Sequence, residues 1–211
     1  MRRLATIFTA FVLQGCAMAT DTGSTQWQSL FDGRTLEGWR ASDAPGTFSV
    51  RDGAIVVRGP RSHLFYVGPV QGDDFRDFEL ELEVKTFPNA NSGVYFHTKW
   101  QEKGWPDAGY EVQVNNSHSD TSRTAGLWGV RDYREVVVPD GQWFTLSIRV
   151  EGKRVVTKID GKLIVDYTEE PNPPRAKGLE KRLLGSGTFA LQGHDPGSEV
   201  HFRNIRVRPL P

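Results

Sequence analysis

Two stretches of this chain carry polar side chains at a spacing that could do chemistry: Asn91-Ser92-Gly93-Val94-Tyr95-Phe96-His97 and Gly109-Tyr110-Glu111-Val112-Gln113-Val114-Asn115. Each alternates strictly, which reads as a β-strand with one apolar and one functional face. On the first, Val94 and Phe96 point one way while Tyr95, His97 and Lys99 point the other. On the second, Glu111, Gln113 and Asn115 share the face opposite Tyr110, Val112 and Val114. A carboxylate on a partly buried polar face takes a raised pKa and can serve as a general base. Glu111, flanked by Tyr110 and Val112, is therefore the first candidate. A row of Glu, Gln and Asn beside Tyr and His suits a ligand rich in hydroxyls, which points to a sugar site on a sheet.

Other groups could join it. His97 lies near Glu111 or Gln113 if the two strands pair as a hairpin across residues 99–109. His194, in Gln192-Gly193-His194-Asp195, falls just past a strand end, where loops carry ligand contacts. His63, His118 and His201 have no convincing company and read as structural or solvated. Trp100, Trp105 and Trp128 lie in or beside the candidate region, where an aromatic face could stack on a sugar ring. Trp27, Trp39 and Trp143 read as core. No His-x-x-x-His pair, compact ligand spacing or calcium-loop periodicity is present. A divalent metal assembled from separate strands stays open as an alternative. Serine-hydrolase, Walker and dinucleotide signatures are absent.

The elements that must position these residues are short strands. Turn signals recur at Asp32-Gly33, Asp52-Gly53, Asp140-Gly141, Glu151-Gly152 and Asp160-Gly161. Between them lie runs rich in Val, Ile, Phe and Tyr: 48–57, 78–87, 93–99, 110–115, 143–150, 154–159, 162–167, 187–192 and 200–207. Many short strands with regular turns argue an all-β sandwich or barrel. Asp160-Gly161 is a strong two-residue hairpin signal, because both positions favour positive φ. Glu79, Glu81 and Glu83 alternate on one strand and read as a solvated outer face. Residues 99–109 and 169–186 do not read as strands, and loops of that length are often lids or rims.

At 211 residues the chain suits a single β-domain. Lys+Arg and Asp+Glu balance at 26 each, so no strong field favours nucleic acid or anionic lipid. Residues 1–19 read as a signal peptide, with Arg2-Arg3 before an apolar run too short to span a bilayer. Leu13-Gln14-Gly15-Cys16 resembles a bacterial lipobox with lipidation at Cys16, while Ala17-Met18-Ala19 fits ordinary secretory cleavage. The lipobox reading is preferred, because the chain's single cysteine sits where a lipoprotein needs one. It places the protein in the bacterial cell envelope, periplasm or outer membrane, touching the membrane only through its N-terminal lipid anchor. Residues 20–26 form a short tether and 27–211 the domain.

Taken together, these residues resemble the 3-keto-disaccharide hydrolase domain family. The resemblance runs through Leu30-Phe31-Asp32-Gly33, Leu36, Gly38-Trp39, residues 78–83, Asn91-Ser92-Gly93 and residues 109–113. It continues in Thr124-Ala125-Gly126-Leu127-Trp128, Gly141-Gln142-Trp143, Ile159-Asp160-Gly161, residues 187–192, His194 and Phe202-Arg203-Asn204-Ile205. It covers essentially all of residues 27–209. The chain departs from the pattern at His97, where many members carry Arg.

The resemblance implies a concanavalin-like jelly-roll β-sandwich and a carbohydrate substrate whose glucose C3 hydroxyl has been oxidised to a ketone. It implies proton abstraction at C2, elimination of the aglycone and hydration. On that reading Glu111 or His97 is the base, His194 the acid, and Gln113, Lys99 or a metal stabilises the oxyanion. Asn91, Tyr95, Lys99, Gln113, Asn115, Trp128 and Gln192 would bind the sugar. The alternative is a non-catalytic carbohydrate-binding module on the same sheet, since fold alone does not separate the two.

Overall fold

A computed structural model describes residues 26–211. The expected leader with its Cys16, and the tether up to residue 25, lie outside the described residues. The described chain forms strands β1 (Gln28–Ser29), β2 (Trp39–Ala41), β3 (Phe48–Arg51), β4 (Ala54–Arg58), β5 (Ser62–Tyr66), β6 (Phe78–Thr86) and β7 (Ser92–Thr98). It continues through β8 (Tyr110–Val114), β9 (Phe144–Glu151), β10 (Arg154–Ile159), β11 (Lys162–Thr168), β12 (Thr188–Gly193) and β13 (Glu199–Pro209). Two antiparallel sheets result. One runs β11-β10-β9-β6-β13-β4-β3, with β1 beside β13, and the other runs β2-β5-β12-β7-β8. This is the all-β jelly-roll sandwich that the strand pattern and the resemblance imply.

The larger sheet follows its sequence pattern closely. Along β6, Phe78, Leu80, Leu82 and Val84 are buried. They pack toward Val94, Phe96, Val112 and Leu191 of the smaller sheet in one continuous core. The alternate Glu79, Glu81 and Glu83 face outward and are paired with arginines of the neighbouring strands. Glu83 meets Arg203 at 2.7 Å and Glu81 meets Arg206 at 2.6 Å, while Arg149 and Arg208 both reach Glu79. Such partly exposed pairs contribute at most about 1 kcal/mol each. Their like-charged row on β6 and cationic row on β13 nevertheless suit only this register.

The β10–β11 hairpin closes through Asp160 (φ 48°) and Gly161 (φ 78°), the two positive φ values its sequence calls for. The run over 48–57 is two strands, because Asp52 and Gly53 also take positive φ and fold β3 onto β4. Trp39 is core, its indole N–H donating to the Leu30 carbonyl at 2.7 Å. Trp27 and Trp143 are not. They are only partly buried and stack under surface cations, Trp27 with Arg206 and Arg208, Trp143 with Arg203 and Lys85. No helix among the described residues is long and apolar enough to cross a membrane.

Candidate active site

The site stands on the outer face of the smaller sheet. Strands β7 and β8 pair antiparallel with Tyr95 opposite Glu111 and Gly93 opposite Gln113. Strand β12 adds Gln192 on the other side of β7, and β5 places His63 opposite Gln192. Directly opposed residues share a face at roughly 5 Å, so these strands present their polar side chains as one group. An apolar patch of Phe65, Tyr95 and Ala190 continues the same face, with Trp100 packed on it.

Glu111 is the centre. Its side chain lies over Gly93, where an added Cβ would fall 2.7 Å from Oε1 and 2.9 Å from Cγ. In that space Oε2 accepts the Tyr95 hydroxyl at 2.6 Å and Oε1 accepts the Gln192 amide at 2.8 Å. Gln192 also donates to the Tyr95 oxygen at 3.0 Å. Arg182 Nη2 stands 3.6 Å from Oε2, and each of the two side chains is only 7 % exposed. Burial raises the Glu111 pKa, while the Tyr95 bond, Arg182 and Gln192 pull it back without cancelling the rise. Burial and the neighbouring carboxylate push the Tyr95 hydroxyl well up, so it stays a donor.

Arg182 arrives on the connection between β11 and β12, residues 169–186. That strap is anchored from below by the buried Glu169. Its Oε2 accepts the Tyr110 hydroxyl at 2.5 Å and the Leu184 N–H at 2.8 Å, and its Oε1 accepts Lys153 at 2.9 Å. Arg175, 3.6 Å from Glu169, donates to the Arg182 carbonyl at 2.7 Å. The guanidinium of Arg182 then lies 5.1 Å from the Tyr95 ring and 5.8 Å from that of Trp128. Its Nη1 is buried with no partner, as is Gln192 Oε1.

These groups border a pocket of about 440 Å³. Of the residues expected at the site, Asn91, Tyr95, Glu111, Gln113, Trp128, Gln192 and His194 line it. Gln113 donates to Asn91 at 2.6 Å, which holds both amides on the floor. His194 is half-buried, and its Nδ1 is paired with Asp195 at 2.8 Å. Its ring centroid is 5.4 Å from Trp105, which also lines the pocket.

Three expected residues are elsewhere. His97 takes φ 56°, and a β-bulge shifts the β7–β12 register between Tyr95 and Thr98. The extra residue breaks the alternation, and the ring packs on Phe78 and Phe96 instead. Gly109 and Gly187 make room for it, since a Cβ on either would fall 2.6 or 2.8 Å from the His97 carbonyl carbon. Its Nε2 donates to the Arg76 carbonyl at 2.8 Å and its Nδ1 accepts the Gly185 N–H at 3.2 Å, so His97 braces the strap. Beyond the bulge, Lys99 is exposed and borders a separate cavity with Asp73 and Asp74. Asn115 is buried and spent on its own loop, donating to the Asp120 and Ser122 carbonyls and accepting from the His118 N–H. Arg182 is the pocket residue that the strand pattern misses. Its signal was a basic run in a long loop together with a buried carboxylate that needs a counter-charge. Among the described residues, no three His, Cys, Asp or Glu side chains gather in a way that could hold a metal ion.

The model of the 3-keto-alpha-glucoside-1,2-lyase-like domain matches residues 26–208. A 3-keto-disaccharide hydrolase of Bacteroides thetaiotaomicron is 25 % identical over 86 % of this chain and 78 % of its own length. A candidate glycosyl hydrolase from Parabacteroides distasonis superposes with a TM-score of 0.72 at 18 % identity, covering 88 % of this chain and 94 % of that one. The carbohydrate-binding module CBM66 of Bacillus subtilis shares the fold at a TM-score of 0.58 and 15 % identity, over 81 % of this chain and 95 % of its own. With nearly all the described residues inside the family match, this chain belongs to the 3-keto-alpha-glucoside-1,2-lyase-like domain family.

Proposed function

We propose that the protein cleaves 3-keto-glycosides, with Glu111 as the base that removes the C2 proton. The observation that carries this reading is the enclosed Glu111 carboxylate, held by Tyr95 and Gln192 beside Arg182 at the floor of the pocket. A ketone at C3 acidifies the C2–H bond. Glu111 takes that proton, and the electron pair moves toward the C3 oxygen as an enolate. The unpartnered Nη1 of Arg182 supplies a preorganised positive donor for that developing charge. The enolate then collapses, the C1–O bond breaks, and the leaving oxygen takes a proton from His194. Water adds at C1 and a proton returns to C2, so the net change is hydrolysis.

Burial serves this chemistry directly. A carboxylate whose pKa is raised is a stronger base, and an enclosed setting strengthens the pull of Arg182 on the negative charge that develops at the C3 oxygen. The cell envelope remains the proposed setting, on the strength of the leader sequence alone. The test is incubation with 3-keto-trehalose and a 3-keto-β-glucoside, following release of the second sugar or aglycone. Release by the wild type and its loss in Glu111→Gln support the reading. Tight binding of unoxidised glycans, without release, and unchanged by Glu111→Gln, would instead identify a carbohydrate-binding module.

A further inference from the structure

His63 stands on the functional face, on β5, beside the groups that line the pocket. The β5–β12 register sets it directly opposite Gln192. It is completely enclosed, 0 % exposed, yet neither ring nitrogen has a hydrogen-bond partner. A neutral imidazole carries one donor and one acceptor, and leaving both unmet in a dry place is costly. A leucine would fill the same space without that penalty. Burial drives the His63 pKa down to about 3, so the ring is neutral at any physiological pH.

Two further buried atoms without partners, Gln192 Oε1 and Arg182 Nη1, belong to residues that line the pocket. Unmet donors and acceptors around one cavity are what a bound polar molecule would satisfy. Aromatic rings surround His63. The Trp105 ring stands 5.5 Å from it at a steep angle, and Tyr95 closes another side at 5.4 Å. Trp105 is 43 % exposed, unusual for so large an apolar group. Within its loop, residues 99–109, Gln101 holds the Lys103 and Trp105 carbonyls. Most polar ties to the rest of the domain run through the exposed Asp43 and Lys181, Asp43 to Glu102 and Gly104 and Lys181 to Asp107 and Gly109, with Arg40 over the Trp100 ring. Segments held this way open at low free energy.

We propose that His63 is a substrate-binding residue, uncovered when Trp105 moves aside, and that the pocket then extends over β5 to hold the second ring of a disaccharide. A neutral imidazole offers a donor and an acceptor together, which matches a sugar hydroxyl that is both. Its role is recognition, since it stands on β5 beyond Gln192 rather than beside the Glu111 carboxylate. The inference rests on the keto-glycoside reading of the pocket for the choice of ligand.

The experiment compares 3-keto-trehalose with methyl 3-keto-α-glucoside, whose aglycone is too small to reach β5, on the wild type and His63→Leu. Expected are a KM at least 10-fold higher for the disaccharide in the variant, kcat within about 2-fold, an unchanged KM for the methyl glycoside, and a melting temperature no lower than wild type. On the wild type, the ¹⁵N resonances of the His63 imidazole shift on saturation with trehalose or its keto form and stay in place with the methyl glycosides. Equal KM changes for both substrates, or imidazole resonances indifferent to a saturating disaccharide, overturn the proposal. If no substrate is cleaved but trehalose still moves the His63 resonances, the reaction assignment falls and the binding role stands. If disaccharides neither react nor bind, both fall.

Discussion

Glu111 lies across Gly93 so closely that a methyl group on the glycine would stand 2.7 Å from the carboxylate oxygen. The absence of a side chain at position 93 therefore sets where the candidate base sits. The backbone φ of Gly93 is not positive, so alanine is conformationally acceptable there. Gly93→Ala should displace the carboxylate from Tyr95 and Gln192 while leaving β7 and β8 paired. We expect turnover to fall about 100-fold, the scale of a misplacement near 1 Å. Overpacking should lower stability by roughly 1–3 kcal/mol. Parallel kinetics and chemical denaturation check this, and full activity in Gly93→Ala would mean that Glu111 can react from another position.

The Glu111–Arg182 pair predicts a pH dependence. Burial holds the Glu111 pKa above its ordinary value, and Arg182 opposes that rise. Activity requires the carboxylate, so the acid limb of kcat/KM should lie above the ordinary glutamate range of about 4.3. Arg182→Met removes the opposing charge and should move the limb further up, with a lower plateau. Glu111→Gln should lose about 10²–10⁴-fold, the usual contribution of a general base. An acid limb that stays in place when Arg182 is replaced would dissociate it from Glu111.

Glu169 makes a separate prediction, because it holds the strap rather than the substrate. Burial pushes its carboxyl up, but the bonds from Tyr110, Lys153 and Leu184 outweigh that and keep it below its ordinary value. A depressed folded pKa gives stability that is present above the unfolded value, about 4.3, and lost as pH falls through the folded one. Glu169→Gln should therefore cost roughly 1–3 kcal/mol at pH 7. The gap from wild type should close as the pH drops below the carboxylate range. Melting curves across pH 3–8 test it, and a gap that does not depend on pH would assign the loss to packing alone.

How much of this was legible beforehand depended on whether a residue obeys strand alternation. Glu111, Gln113 and Tyr95 do, and the polar face of each strand is readable from spacing, though not the register that sets Tyr95 rather than His97 opposite Glu111. The outer row of Glu79, Glu81 and Glu83 was readable for the same reason, though not its arginine partners on β9 and β13. His97 departs from the pattern because a single positive-φ residue inverts the phase of everything after it, Lys99 included. Strand β5 carries no such signal. Its sequence, Ser62-His63-Leu64-Phe65-Tyr66, places two polar residues before three apolar or aromatic ones, so no alternation marks it or singles out His63. Arg182 could not be placed from spacing at all, since its position depends on long-range anchors at Glu169 and Arg175.

The reassignment of His97 can itself be tested. Burial lowers its pKa, and its two bonds require the neutral ring, with Nε2 donating to Arg76 and Nδ1 accepting from Gly185. For a histidine whose folded pKa is depressed, the unfolded chain binds the proton more readily. Stability is then present above the unfolded value of about 6.5 and is lost as pH falls through the folded one. Asparagine tolerates positive φ, so His97→Asn removes the ring with little backbone strain. It should destabilise the domain by roughly 1–3 kcal/mol at pH 7, less at pH 5. Because His97 lies outside the pocket, the acid limb set by Glu111 should keep its position in the variant. A 10²–10⁴-fold loss of kcat in a stably folded His97→Asn, on the scale expected for a base, would return His97 to the chemistry.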